Sequence, residues 1–298
     1  MKIESPRIHK KMPISELVEM YSKTAFNARR LGEAAKIFKE MIEGDAFIFL
    51  TLAGAMIPSG MRNIINEFLK RDLINAIVST GANVVHEVIE ALGFNHEIGS
   101  TSVDDVELAK TKLNRIFDVF IHQKAFEELE FFVSKIVTNL SGSYASYEFV
   151  WKLGEVLDKS FLRTAYEKSI PIFCPTLHDS ILGLHIFVYR SKDFNIDYFK
   201  DIQKILELCC NDKVGVIIIG GGVPKNFALQ AMLLSDGFDY AIQITTDSPQ
   251  WGGLSGASLE EAKSWCKLKP NAKAVTVYCD ATIALPMLYS YVLDNIDK

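Results

Sequence analysis

The chain lacks most marks of the specialised protein classes. It has five cysteines, an odd number, at positions 174, 209, 210, 266 and 279. None form a C-x-x-C pair, and Cys209 and Cys210 are too close together to serve one metal easily. A disulfide framework and a zinc site are therefore not expected, and a reducing, cytoplasmic setting is. There is no basic excess: the formal net charge is −5, against the basic face that nucleic-acid binding needs. Mild acidity suits a cationic substrate, though ordinary solubility accounts for it better. No uncharged run approaches the roughly 20 residues of a membrane helix, and the start, MKIESPRIHKKMPISEL, has positive charge but no apolar segment behind it. No nucleic-acid or membrane partner is expected. Both G-x-G-x-x-G and H-E-x-x-H are missing.

What is present is a core-forming composition. Of 298 residues, 49% are hydrophobic and 23% charged, as in a soluble globular protein. Residues 1–12 read as a polar arm, after which Ser15 stands where it could cap a first helix. Short apolar runs bounded by turn residues read as buried parallel strands: Ala46–Thr51, Ile74–Thr80, Pro171–Pro175, Val214–Ile219, Tyr240–Thr245 and Ala274–Tyr278. Helical patterns follow most of them, including Met61–Lys70, a helix ending near Gly93, and the closing Ala281–Leu293. Residues of about 100–170 show helical pattern only, over Asn114–Leu140 and Tyr147–Lys168, with no strand. The expectation is one α/β domain over 1–298, with a doubly wound, mostly parallel sheet and a helical insertion at about 100–170.

In such a sheet, ligands bind at the carboxyl ends of strands. That selects Thr51–Gly60, Thr80–Asn83, His178–Ser180, Gly220–Val223, Thr245–Asp247 and Asp280. The triplet Gly220-Gly221-Gly222 lets backbone approach a phosphate at a helix N-terminus, or is only a tight turn. Asp179 and Asp280 suit ribose hydroxyls or an ammonium, or are helix caps. His86, Glu87, His178 and His185 have no metal-ligand spacing, and no metal is expected. The stretch Ile244–Leu268, ITTDSPQWGGLSGASLEEAKSWCKL, places Lys267 two residues after Trp265, behind a Gly/Ser turn. A desolvated Lys beside an aromatic is a plausible amine nucleophile. Lys263 one turn earlier could repel its charged form, and Glu261 could hold a cationic substrate. A solvated helix face of Glu260, Glu261, Lys263 and Lys267 is the plain alternative.

Five stretches together resemble the deoxyhypusine synthase family: Pro58-Ser59-Gly60-Met61-Arg62; Val78-Ser79-Thr80-Gly81-Ala82-Asn83; Ile218-Ile219-Gly220-Gly221-Gly222-Val223-Pro224-Lys225; Ser255-Gly256-Ala257 with Glu260-Glu261-Ala262-Lys263-Ser264-Trp265-Cys266-Lys267; and Tyr278-Cys279-Asp280-Ala281. The resemblance runs from about Phe47 to Leu293. It implies a Rossmann-like NAD-binding fold and NAD-dependent transfer of the aminobutyl group of spermidine through a lysine imine. By that resemblance Lys267 is the imine-forming lysine. Trp265, Glu261, Asn226 and His86 fall at substrate positions. Ser59, Thr80, Gly81, Asp179, Gly220, Gly221, Gly222, Thr246, Asp280 and Ala281 fall around NAD. A polyamine substrate and a homotetramer are implied as well.

The departures sit in the substrate channel. Leu184 and Leu254 stand where the eukaryotic enzymes carry Asp, Asn226 where they carry His, His86 where they carry Glu, and Cys266 where they carry Gly. Each charge-assisted hydrogen bond to an ammonium is worth roughly 1.5–3 kcal/mol, so two lost carboxylates change substrate recognition. Asp247 and Glu87 are candidates to replace them. The pattern is similar to the bacterial, homospermidine synthase-like branch, in which a small amine such as putrescine accepts the aminobutyl group. A protein-lysine acceptor and a non-catalytic NAD-binding paralogue are the alternatives.

Overall fold

The computed structural model describes residues 2–296. Where the sequence reads as one domain, its contacts group the chain into two compact units. The first takes in Met1–Ala53, Lys70–Val78 and Ile202–Lys298, the second Gly54–Leu69 and Ser79–Asp201.

The first unit is built on a parallel sheet. Its strands are β1 (Phe47–Leu52), β2 (Ala76–Ser79), β3 (Val214–Ile219), β4 (Phe238–Thr245) and β5 (Leu268–Tyr278), in the spatial order β5-β4-β3-β1-β2. β1 pairs parallel with β3, β3 with β4, and β4 with β5. Every residue of Val214–Ile219 is buried, the expected state of an all-apolar run covered on both faces. Phe49 and Phe238 meet edge-on at 6.0 Å within this core. Helix Phe26–Glu43 packs on β4 and β5, and helix Ile14–Tyr21 packs on Ala281–Asn295. The α/β class and parallel sheet expected from the sequence are thus present.

The strand order matters for function. The chain steps one way from β1 to β2 and the other way through β3, β4 and β5, so the order reverses between β1 and β3. That switch point is where open α/β sheets bind ligands. The Gly220–Gly222 triplet follows β3 at this place, and a Cβ on Gly220 would lie 3.3 Å from that of Ala53, just after β1.

Several local expectations need correction. Ser15 does not cap the first helix, which starts at Ile14 after Pro13; its hydroxyl instead donates to Asp294 at 2.5 Å. The last strand begins at Leu268, not Ala274, because Leu268 pairs with Phe238 before the register jumps to Tyr240 opposite Lys273. Residues 100–170 also contain strands: Leu113–Ile116 and Val119–His122 form an antiparallel hairpin, with Glu97–Ile98 added beside the second.

The second unit holds that hairpin. Its turn is Phe117-Asp118, with Phe117 at φ +53°. A bulky residue there carries none of the usual Asn-Gly or Asp-Gly signal, which is why pattern reading misses it. The expected Tyr147–Lys168 helix is two helices, Ser146–Glu155 and Phe161–Glu167. Ser160 starts the second by accepting from the Leu162 N–H at 3.0 Å, so a cap interrupts an otherwise continuous apolar period. A two-residue strand, Ile172–Phe173, and the parallel pair Gly142–Tyr144 and Phe194–Ile196 complete its strands among the described residues.

Candidate active site

Lys267 is positioned by its backbone at both ends. Helix Leu259–Ser264 is capped by Ser258, whose hydroxyl accepts from the Glu261 N–H at 3.1 Å. The helix ends in a Schellman motif: Cys266 N–H donates to Lys263 O at 3.0 Å and Lys267 N–H to Ala262 O at 3.0 Å. The motif requires a left-handed residue after the helix, and Cys266 fills that slot at φ +56°. The Lys267 carbonyl then accepts from the Phe238 N–H of β4 at 3.1 Å. The lysine therefore stands between helix and strand, not on the helix itself. Its Nζ lies 5.5 Å from the centre of the Trp265 ring, and Trp265 is 60% exposed. Glu261 is exposed on the same short helix.

The glycine triplet is explained residue by residue. Gly220 and Gly222 have φ of +74° and +60°, which side chains rarely adopt. Gly221 touches the other motif: a Cβ there would fall 2.4 Å from Ser255 Cα. The Ser255 hydroxyl accepts from the Gly222 N–H at 3.0 Å. The two most specific sequence motifs are thus one structural object. A Cβ on Gly222 would meet nothing nearer than Pro224 Cδ at 3.9 Å, so the turn presents open backbone at the start of helix Gly222–Ala231. Such a surface suits a phosphate.

Two residues of this unit carry no role in the sequence reading. Lys225 is 1% exposed and its Nζ donates to Gln243 Oε1 at 3.1 Å, Leu254 O at 3.0 Å and Ala257 O at 2.6 Å. Gln243, fully buried on β4, donates to Gly220 O at 3.1 Å and Ser255 O at 2.8 Å. Burial pushes the Lys225 amine down to about 8; Glu261 and Asp247 act against that shift and Lys267 adds to it. A glutamine inside a buried strand is the signal that could have revealed this pair.

The remaining assigned positions of the first unit are simpler. Asp280 is a helix cap, accepting from Thr282 N–H at 2.7 Å, with Ala281 opening the helix behind it. Thr246 is exposed after β4, and Asn226 is half-buried on helix Gly222–Ala231. Leu254 is 38% exposed, and Asp247 accepts from the Ser248 N–H.

The other assigned residues lie in the second unit. Ser59 donates to Met56 O at 2.9 Å. Thr80 precedes helix Gly81–Ala91. A Cβ on Gly81 would fall 2.6 Å from Ser180. Asn83, within the selected Thr80–Asn83 strand end, accepts from Met56 N–H at 3.1 Å and donates to Gly54 O at 3.0 Å, which ties the Gly54–Ile57 loop to the helix. Asp179 is exposed and is not a cap; Ser180 is, accepting from the Gly183 N–H. Leu184 is 62% exposed.

His86 and Glu87 are internal. His96 bridges Glu90, 2.7 Å from its Nδ1, and His86 Nδ1, 2.9 Å from its Nε2. Burial, with His96 beside it, pushes the His86 imidazole down to about 4. Glu87, expected as a candidate channel carboxylate, is wholly buried and bound to Arg62, the Ser160 hydroxyl and the Phe161 N–H. It is a structural anion and does not replace a lost channel acid. Among the described residues no group of three His, Cys, Asp or Glu could hold a metal ion, and no helix is long and apolar enough to cross a membrane.

The family profile for deoxyhypusine synthase matches residues 16–292. The chain belongs to the deoxyhypusine synthase family. It is 62% identical over 298 residues to "Probable deoxyhypusine synthase 1" of Archaeoglobus fulgidus, covering 99% of each chain. It is 41% identical over 303 residues to the protein of that name in Methanosarcina mazei, covering 99% of this chain and 96% of that one. A solved structure described as a deoxyhypusine synthase from Entamoeba histolytica superposes with a TM-score of 0.67 at 18% identity, over 96% of this chain and 94% of that one. At that identity the match speaks for the fold. As a deoxyhypusine synthase homologue, the chain is an enzyme, a transferase.

Proposed function

We propose that the protein transfers the aminobutyl group of spermidine, with NAD as cofactor and Lys267 as the covalent carrier. The observation that carries this reading is the joint placement of the Lys267 turn and the glycine triplet, held together through Ser255. The open backbone at Gly220–Gly222, at the sheet's switch point, fits a dinucleotide phosphate, with Thr246, Asp280 and Ala281 following the neighbouring strands. NAD held there would supply hydride exchange with the aminobutyl carbon bonded to the secondary nitrogen of spermidine, so that this carbon is met as an imine and reduced again at the end. The Lys267 amine adds to the resulting imine carbon, and diaminopropane leaves as that carbon–nitrogen bond breaks. An acceptor amine then displaces Lys267 by the same exchange. Trp265 flanks the amine, and exposed Glu261 and half-buried Asp247 supply negative charge for a cationic substrate.

A protein lysine is the acceptor favoured by the names of the relatives. A small amine such as putrescine is the second reading, favoured by the exposed Leu184 and Leu254 at acidic channel positions. A homotetramer in the cytoplasm accompanies either. Incubation with spermidine and NAD, borohydride reduction and mass spectrometry should label Lys267; active enzyme without that label would overturn the mechanism. Adding putrescine or an acceptor protein decides between homospermidine and a modified lysine. NAD binding with no diaminopropane release would leave a binding protein.

A further inference from the structure

Lys225 is a buried ammonium with no carboxylate partner among the described residues. Its three hydrogen-bond acceptors are neutral, and two of them are the main-chain carbonyls of Leu254 and Ala257. The third is Gln243, whose amide nitrogen in turn holds Gly220 O and Ser255 O. These two side chains therefore make five hydrogen bonds. Three reach the Leu254–Ala257 segment, one reaches the glycine turn, and one joins the pair. Three donors on Lys225 meet three acceptors, so the ammonium is saturated.

The segment they hold leads into a helix of only six residues, Leu259–Ser264. A helix that short does not hold itself together in water. Its placement depends on what grips its ends. One grip is the Lys267–Phe238 bond, and the other lies upstream at Leu254–Ala257. A core packed by apolar residues would need no lysine here, and leaving an ammonium buried without an anion is costly. The geometry has a use for it: an ammonium reaches several carbonyls at once, which an apolar side chain cannot.

We propose that Lys225 is a positioning residue, which together with Gln243 clamps the Leu254–Ala257 segment to the Gly220–Gly222 turn and thereby sets where the Lys267 amine stands. The consequence for chemistry rests on Lys267 being the nucleophile; the clamp itself does not. Its charge sits among Asp247, Glu261 and Lys267, the groups that act on it electrostatically.

Two substitutions probe the clamp differently. Lys225→Met removes the ammonium and strands three acceptors. Gln243→Glu keeps an acceptor for Lys225 but turns a carboxylate oxygen toward the carbonyls of Gly220 and Ser255, so the segment is pushed off the turn while the ammonium stays. Amide hydrogen exchange of the substrate-free full-length protein reads the first consequence. Exchange should rise at least tenfold over residues 254–267 in both variants and stay unchanged over Phe47–Leu52. Imine trapping at Lys267 with spermidine and NAD reads the second. The trapping rate at saturating spermidine should fall tenfold or more, with half-saturation within threefold of the unaltered protein. Unchanged exchange over 254–267 overturns the proposal. Exchange rising equally throughout the chain does so too, since Lys225 would then be merely part of the core. If exchange behaves as stated but the unaltered protein never traps an imine, the clamp stands and aminobutyl transfer falls.

Discussion

Gly221 lies against Ser255 so closely that a Cβ would come within 2.4 Å of Ser255 Cα. The contact is backbone against backbone, so neither side can yield by turning a rotamer. We expect Gly221→Ala to force the glycine turn and the Ser255 segment apart. Overpacking of this kind costs about 1–3 kcal/mol. A lowered melting temperature together with weakened NAD binding in a titration would show it; unaltered NAD affinity would count against the turn as a cofactor site.

Arg62 and Glu87 form a bidentate pair, Nε to Oε2 at 2.7 Å and Nη2 to Oε1 at 3.1 Å. Burial pushes the Glu87 carboxyl up, and Arg62, Ser160 and Phe161 pull against it. Removing one partner of a buried pair typically costs about 3–5 kcal/mol, because the other charge is stranded. Arg62→Met should reach that range in denaturant unfolding. The double variant Arg62→Met with Glu87→Leu should lose much less than the sum of the single losses.

His86 should make the second unit sensitive to acid. Its imidazole is held at about 4 in the folded chain against an ordinary 6.5. The unfolded chain therefore binds the extra proton first. The stabilisation is present above the ordinary value and is lost as pH falls through the interval between the two. The difference corresponds to about 3 kcal/mol at most. Asp201 works the other way, since burial pushes its carboxyl up to about 6. Melting curves from pH 7 to 4.5 should show a smaller acid loss in His86→Gln than in the unaltered protein; equal losses would refute the assignment.

Cys266 occupies the left-handed slot of the Schellman motif next to Lys267. A side chain there costs about 1–3 kcal/mol, part of which glycine returns through the entropy of the unfolded chain. Cys266→Gly is expected to stabilise the protein by about 1 kcal/mol without lowering the rate of Lys267 trapping. Calorimetry and the trapping assay check the two halves.

Strand identities were legible because burial on both faces writes an unbroken apolar run, as in Val214–Ile219. The glycine triplet was legible because φ above zero and close backbone contact leave glycine little competition, and the W-x-K stretch was legible through its resemblance to the deoxyhypusine synthase family. The hairpin at residues 113–122 was hidden, since Phe117 takes a left-handed turn that its type does not advertise. The functions of buried polar residues were hidden too. Glu87 reads as a free carboxylate until Arg62 is found beside it, 25 positions away in the chain. Lys225 and Gln243 carry no role in the sequence until the fold brings them together.

The α/β class and the strand-end glycines were already written in the sequence, because backbone conformation and burial periodicity are local properties that each residue type records, while Lys267 stood out through its resemblance to the family's motif. That the Gly220–Gly222 turn lies against Ser255, at the head of the stretch leading to Lys267, emerges only in three dimensions. Hydrogen bonds between segments so far apart in the chain depend on where β3 and β4 lie side by side, and no spacing along the sequence encodes that distance.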